Sequence, residues 1–311
     1  MTAAQMDGEE AAMKFERKDR PVFSNARGSL GMYMASMLIF GTSGVFRRYI
    51  PLPSAFLAFA RGILGGLFLL AWIRPWRKGR SWRLPTGLLL RLALTGAMIG
   101  FNWMLLFEAY NHTTVAVATL CYYMQPTIVI LLSPVVFRER LTGGKIICAL
   151  LSIIGMVLIS GVLDGGGAAR QDPLGILLGL GAAALYAGVV ITNKKTSGVD
   201  VYQRTIVQLL SAGIVMLPYL LLTDGFRGIS FTPSATLLLM VVGIIHTGAA
   251  YALYFGGMEG LAVQSVAMLS YIDPVSALLF SALLLKEPFT WMHMAGACLI
   301  IGSAMLHAIM Q

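Results

Sequence analysis

The sequence predicts an all-α integral membrane protein: ten transmembrane helices in two inverted five-helix repeats, with the N- and C-termini cytoplasmic. Three observations predict it. Apolar residues make up 57% of the 311 residues and charged residues only 12%, against about 25% charged in ordinary soluble domains. Apolar runs near the length needed to cross a bilayer recur ten times. The chain also matches itself at an offset of 148 residues.

The composition comes first. A soluble core of this size cannot bury so much apolar side chain, so a second apolar solvent is required, and the lipid bilayer supplies it. The formal charge of +9 would suit a nucleic-acid partner if it formed one basic face. The lysines and arginines instead lie between apolar runs, so no nucleic acid is expected. Cys121, Cys148 and Cys298 each fall inside an apolar run without paired spacing. They read as small buried residues, with neither a disulfide framework nor a zinc site.

The apolar runs place helices at 29–46, 53–73, 86–107, 113–137, 143–163, 173–192, 202–223, 235–257, 261–285 and 289–309. Residues 1–28 form a mixed-charge cytoplasmic tail, without the small-residue cleavage pattern of a signal peptide. Pro126 and Pro274 fall within the fourth and ninth runs. Splitting those runs would leave short fragments, so each reads as one kinked helix. Basic residues set the orientation. With the N-terminus inside, sixteen lysines and arginines of the tail and of the loops after helices 2, 4 and 6, Arg204 among them, are cytoplasmic. Five (Arg47, Arg48, Arg170, Arg227 and Lys286) are outside.

The internal repeat follows. Gly100, Leu105, Phe107, Val115, Tyr123, Pro126 and Glu139 match Gly248, Leu253, Phe255, Val263, Tyr271, Pro274 and Glu287. In both halves the proline precedes the glutamate by 13 residues. The repeats span 29–163 and 173–311, joined by a glycine-rich linker at 164–172. Five helices per repeat, an odd number, turn the second repeat upside down relative to the first. This is the inverted-topology arrangement of secondary transporters, with a substrate site near the midplane between halves.

The chain resembles the EamA family of the drug/metabolite transporter superfamily. The resemblance rests on the ten helices in two halves, the proline-containing fourth and ninth helices, and Arg-Glu-Arg-Leu at 138–141, echoed as Lys-Glu-Pro-Phe at 286–289. The second copy departs by Pro288 after Glu287. The resemblance implies export of metabolites or drugs from the bacterial inner membrane by alternating access, and some members export amino acids, including aromatic ones.

The polar residues inside the apolar runs are the candidate substrate-binding set. Arg61, midway along helix 2, suits a substrate carboxylate through its planar fork; a structural pairing inside the bundle is an equal alternative. Asp273 precedes Pro274, which frees backbone carbonyls there. It can carry a proton, making protons the candidate coupling ion, or pair with Arg61. Its repeat counterpart, Gln125, is polar but does not titrate. Tyr123 and Tyr271 each stand three residues before a proline. Gln264 and Tyr271 share a helix face with Met268, lining a pore or packing against a helix. Asn102, Trp103, His246, Tyr251 and Tyr254 occupy helices 3 and 8, where Asn102 and His246 offer hydrogen bonds and the rings an aromatic wall.

Glu139 and Glu287 sit at helix junctions, where the helix dipole favours an acid, and Glu139 can pair with Arg138 or Arg140. Glycines four apart, Gly62/Gly66, Gly96/Gly100 and Gly175/Gly179, mark close helix packing.

No phosphate-binding Gly-Lys-Ser/Thr loop, cofactor motif or nucleophile–base pair occurs, so an enzyme is not expected. The leading reading is a secondary exporter of small polar or zwitterionic metabolites, amino acids first among them. An exporter of hydrophobic cations anchored on Asp273 is the alternative. A channel and a nucleotide-sugar or phosphosugar transporter rank below both. The expected partners are a small-molecule substrate, the bilayer, protons and a second copy in a homodimer.

Overall fold

A computed structural model of the protein describes residues 26–74, 84–113, 115–159, 163, 173–196, 199–223, 225–227, 229–286 and 290–310. Residues 1–25 of the predicted tail, the whole linker at 164–172, and 287–289 lie outside the described residues, while 26–28 of the tail belong to the first helix. All regular secondary structure among the described residues is helical. The helices are α1 (Ala26–Arg48), α2 (Ser54–Ile73), α3 (Thr86–His112), α4 (Val115–Tyr122), α5 (Gln125–Phe137), α6 (Gly143–Ile159), α7 (Pro173–Lys195) and α8 (Val201–Leu222). There follow α9 (Pro233–Gly243), a π turn (Ile244–Ala249), α10 (Ala250–Glu259), α11 (Val263–Ser270), α12 (Ile272–Leu285) and α13 (Trp291–Ile309).

Among the described residues, seven spans are long and apolar enough to cross a membrane: Ala55–Ile73, Thr86–Leu106, Ala118–Phe137, Pro173–Lys195, Val201–Leu222, Pro233–Glu259 and Val263–Leu284. Two shorter apolar helices cover Gly143–Leu158 and Trp291–His307. Large aliphatic side chains such as Leu90, Val135, Leu222, Leu283 and Ile309 face outward, as lipid-facing residues do.

The predicted fourth and ninth helices are broken, not merely kinked. The fourth divides into α4 and α5 around Tyr123 and Met124, the ninth into α11 and α12 at Tyr271. Pro126 and Pro274 have no N–H to donate to the carbonyls of Tyr122 and Ser270, so the ladder opens there. The two broken helices also end alike. Arg138 (φ 57°) and Lys286 (φ 56°), equivalent at the repeat offset, stop α5 and α12 in the left-handed conformation. That conformation costs a non-glycine residue about 1–2 kcal/mol.

Packing runs mainly between the first and second halves. Helix α1 packs on α10 and α12, α2 on α8 and the π turn, and α3 on α7 and α8. Helices α4 and α5 pack on α7, α5 on α11, and α6 on α13. Glycines allow the closest crossings. A Cβ on Gly96 would lie 2.4 Å from the carbonyl oxygen of Gln208, and one on Gly62 would lie 3.0 Å from the nitrogen of Gly213. The predicted glycine pairs are therefore packing residues.

One end of the bundle is closed by polar contacts. Arg204, expected in a cytoplasmic loop, is fully buried in the first turn of α8. Its Nη1 donates to the carbonyls of Asn193 and Thr196 (both 3.3 Å), and its Nη2 to Glu259 Oε1 (3.0 Å) and the Phe255 carbonyl (3.4 Å). Lys194 Nζ donates to the carbonyls of Glu259 and Leu261. Glu139 Oε1 accepts from the backbone N–H of Val263 at 3.3 Å. This corrects the expectation of a local role: Glu139 caps α11 of the opposite half. The cysteine reading also changes in part, for Cys148 is buried, Cys121 half-buried and Cys298 exposed.

Candidate functional site

Among the described residues, Arg61 beside the π turn and Asp273 at the second break stand inside the bundle without an ion-pair partner. Arg61, on α2, donates from Nε to Thr247 Oγ1 at 3.0 Å, and its guanidinium lies 4.8 Å from the Trp103 ring centroid. Its terminal nitrogens make no hydrogen bond among the described residues. On the other side of the site, Asp273 Oδ2 accepts from the Tyr123 hydroxyl at 3.3 Å, and Oδ1 has no hydrogen-bond partner among the described residues. Both residues are only partly buried. The predicted alternative of an Arg61–Asp273 ion pair is not formed.

Aromatic rings join the two charges. Trp103 meets Tyr251 edge-on at 6.4 Å, and Tyr251 meets Tyr254 at 6.4 Å. Tyr254 stacks on Tyr186 at 6.3 Å, and Tyr186 on Tyr122 at 6.1 Å. Tyr122 contacts Tyr123 at 5.6 Å, and Tyr123 reaches Asp273. The result is an arc of rings with a cation at one end and a carboxylate at the other. Phe40 of α1 packs on Tyr251 and Tyr254, at 5.2 Å and 5.9 Å.

Four of the ten residues singled out from the sequence, Arg61, Trp103, Tyr251 and Asp273, fall on this arc, with Tyr123 as the fifth. Tyr271 does not. Its hydroxyl bonds Thr127 Oγ1 at 2.6 Å. The two break-point tyrosines therefore cross reciprocally, each reaching the first turn of the opposite half's broken helix. Gln125 is buried beside the first break, its Nε2 without a partner.

The remaining three make inter-helix contacts. Asn102 Nδ2 donates to the Ala182 carbonyl at 2.7 Å. Gln264 Nε2 donates to Ser133 Oγ at 2.7 Å, and Gln264, Met268 and Tyr271 are all buried, so their shared face packs against neighbouring helices. His246 Nε2 lies 2.8 Å from Thr42 Oγ1, and its ring 4.6 Å from that of Phe46.

Sequence reasoning missed Thr247, Tyr122, Tyr186 and Phe40. Tyrosines in apolar runs read as ordinary packing. Their role shows only where α1, α3, α4, α7 and α10 converge.

The sequence model of the EamA-like transporter family matches residues 28–161 and again 173–309. The chain is 28% identical over 245 residues to "Uncharacterized transporter YxxF" of Bacillus subtilis (strain 168), covering 78% of this chain and 77% of that one. It is 27% identical over 301 residues to "Uncharacterized inner membrane transporter YicL" of Salmonella typhimurium, covering 91% and 95%. It is 27% identical over 231 residues to "Protein PecM" of Dickeya dadantii, covering 71% and 74%. A solved crystal structure superposes with a TM-score of 0.81 over 92% of this chain and 99% of that chain, at 19% identity, and so shares the fold. With apolar spans crossing the bilayer several times and a family match over both halves, the chain is a multi-pass membrane protein that belongs to the EamA-like transporter family.

Proposed function

We propose that the protein is a secondary transporter that exports small zwitterionic metabolites, amino acids above all, across the bacterial inner membrane by alternating access. The single observation that carries the substrate reading is the aromatic arc, which ends in Arg61 on Trp103 and in Asp273 on Tyr123. A zwitterion has a carboxylate that suits the guanidinium fork and an ammonium that suits the Asp273 carboxylate, met in turn at the two ends of the arc, since both charges of an amino acid stand on one carbon. The rings between them favour an apolar or aromatic side chain. Each charged residue keeps its ligand-facing atoms unoccupied by the protein, so binding would neutralise two charges that are costly to leave unpaired inside a membrane.

The architecture proposed for this work is ten helices in two inverted repeats, with both termini cytoplasmic. The two stretches matched by the family model support it. So does the packing pattern, which maps onto itself when each first-half helix is exchanged for its second-half counterpart: α3 on α7 and α8 corresponds to α10 on α1 and the π turn on α2. The equivalent left-handed caps at Arg138 and Lys286 add a third support.

The test is counterflow in proteoliposomes of a labelled mixture of the twenty amino acids, with and without a pH gradient. Saturable uptake lost in Arg61→Ala and Asp273→Asn supports the reading, and a gradient effect supports proton coupling through Asp273. Uptake unchanged in both variants would overturn it. Hydrophobic cations are the second reading. The Asp273 carboxylate among tyrosines favours them, and they predict dye efflux that needs Asp273 but not Arg61.

A further inference from the structure

We infer that Thr247 is a positioning residue for Arg61: from the π turn of the second half it fixes the guanidinium in the orientation that selects a substrate carboxylate. The inference rests on the role proposed above for Arg61.

The hydrogen bonds have a fixed polarity. Thr247 Oγ1 donates its one proton to the Val242 carbonyl at 2.9 Å, five residues back. The hydroxyl oxygen therefore presents only lone pairs to Arg61, whose Nε donates to it at 3.0 Å. Thr247 is fully buried, so water does not compete for this bond. Trp103 covers the guanidinium face at 4.8 Å. With Nε and one face occupied, the two terminal nitrogens point in one direction, and that edge matches a carboxylate with two parallel bonds.

The backbone explains why this threonine is in place. In a regular helix a threonine hydroxyl bonds a carbonyl three or four residues back. The π turn over Ile244–Ala249 admits one more residue per turn, and the reach to Val242 follows. Gly65 sets the depth of the crossing. A Cβ there would lie 2.9 Å from Thr247 Cγ2, 3.0 Å from the Gly243 carbonyl oxygen and 3.0 Å from the Gly248 nitrogen. Arg61 and Gly65 are four residues apart on one helix face, so the glycine contact delivers Thr247 one turn away, beside Arg61. The repeat counterpart of Thr247 is Ile99, which lies in an uninterrupted α-helix and has no hydroxyl. The device exists in one half only, as a site for an asymmetric ligand requires.

The test is counterflow of the same labelled amino-acid mixture by the parent, Thr247→Val and Thr247→Ser, and by Arg61→Lys with and without Thr247→Val. Thr247→Val keeps the shape and removes the acceptor. It is expected to raise the half-saturating mixture concentration about tenfold, the effect of one lost hydrogen bond to a charged group, with the maximal rate within about twofold. Thr247→Ser retains the hydroxyl and is expected to stay near the parent. In the Arg61→Lys background the ammonium can still donate to Thr247 but has no planar fork to orient, so Thr247→Val is expected to cost less than in the parent. Amino-acid methyl esters, which lack the carboxylate, are expected to compete equally against parent and Thr247→Val.

Parent-like saturation by Thr247→Val, in a protein that still needs Arg61, would overturn the positioning role and leave the site intact. So would a full additional loss in the Arg61→Lys background, since Thr247 would then act independently of Arg61. If Thr247→Val does not fold, Thr247→Ala in the same cycle gives the same two outcomes. A parent that moves none of the mixture, or an Arg61→Ala variant equal to the parent, would overturn the underlying reading and this inference with it.

Discussion

Replacing Arg204 tests the packing that closes one end of the bundle. The guanidinium is fully buried and joins three elements: the C-terminal carbonyls of α7, the first turn of α8 and the end of α10. Asn193 lies among the last four residues of α7, whose carbonyls have no partner within the helix, and Thr196 follows just beyond its end. Arg204→Ala leaves the Thr196 carbonyl without its donor and takes one of two donors from the Asn193 carbonyl, which keeps the Thr196 N–H at 3.3 Å, at about 1–3 kcal/mol for each group that stays dry. Glu259 is 32% exposed and can turn to water, so its loss of partner adds little. Rearrangement and water entry limit the sum, and the expected cost is about 3–5 kcal/mol, as for breaking other buried charge pairs. Glu259→Gln keeps an acceptor and loses only the charge assistance, so about 1–2 kcal/mol is expected. The assay is reversible unfolding in mixed micelles, followed by far-UV circular dichroism as the SDS fraction rises. A loss below about 1 kcal/mol in Arg204→Ala, or a Glu259→Gln variant as unstable as Arg204→Ala, would refute the reasoning.

Three further predictions use the same unfolding assay or a local probe. Gly96→Ala places a Cβ 2.4 Å from the Gln208 carbonyl oxygen and is expected to cost about 1–3 kcal/mol or more, whereas Gly31→Ala meets nothing within 4 Å and should be neutral or stabilising. Asn193 and Gln208 exchange two amide hydrogen bonds, at 2.6 Å and 3.4 Å, so Gln208→Leu should leave a buried amide unpaired and cost about 1–3 kcal/mol. Glu139→Ala removes the acceptor at Val263 and should cost about 1 kcal/mol, read as faster hydrogen exchange at the first amides of α11 and not at those of α12.

The all-helical, multi-span character and the family resemblance survive because both rest on local signals. Apolar length, proline position and glycine spacing act through the backbone of the segment that carries them. Arg61 and Asp273 stand out as candidates for the same reason: a charge inside an apolar run has few reasons to be there. Arg204 was misplaced because a charge near the end of a run reads as a loop residue, and its four acceptors come from segments up to 55 residues away. Thr247 was invisible because a threonine in an apolar run is common, and a π turn has no local pattern beyond Gly243 before it and Gly248 within it. The break at Tyr123 read as a kink because the spacing of Tyr-x-x-Pro fixes where the ladder opens and not how far. The aromatic arc is a product of packing between halves, and no linear pattern contains it.

The most direct measurement is a charge series in counterflow by the parent protein: a labelled amino-acid mixture competed by its own methyl esters, by its decarboxylated amines and by its deaminated acids. The account predicts strong competition by unlabelled zwitterions alone, with each single-charge series weaker by about tenfold or more. Amines that compete as well as the zwitterions would contradict a site with two charged ends and leave Asp273 as its one anchor.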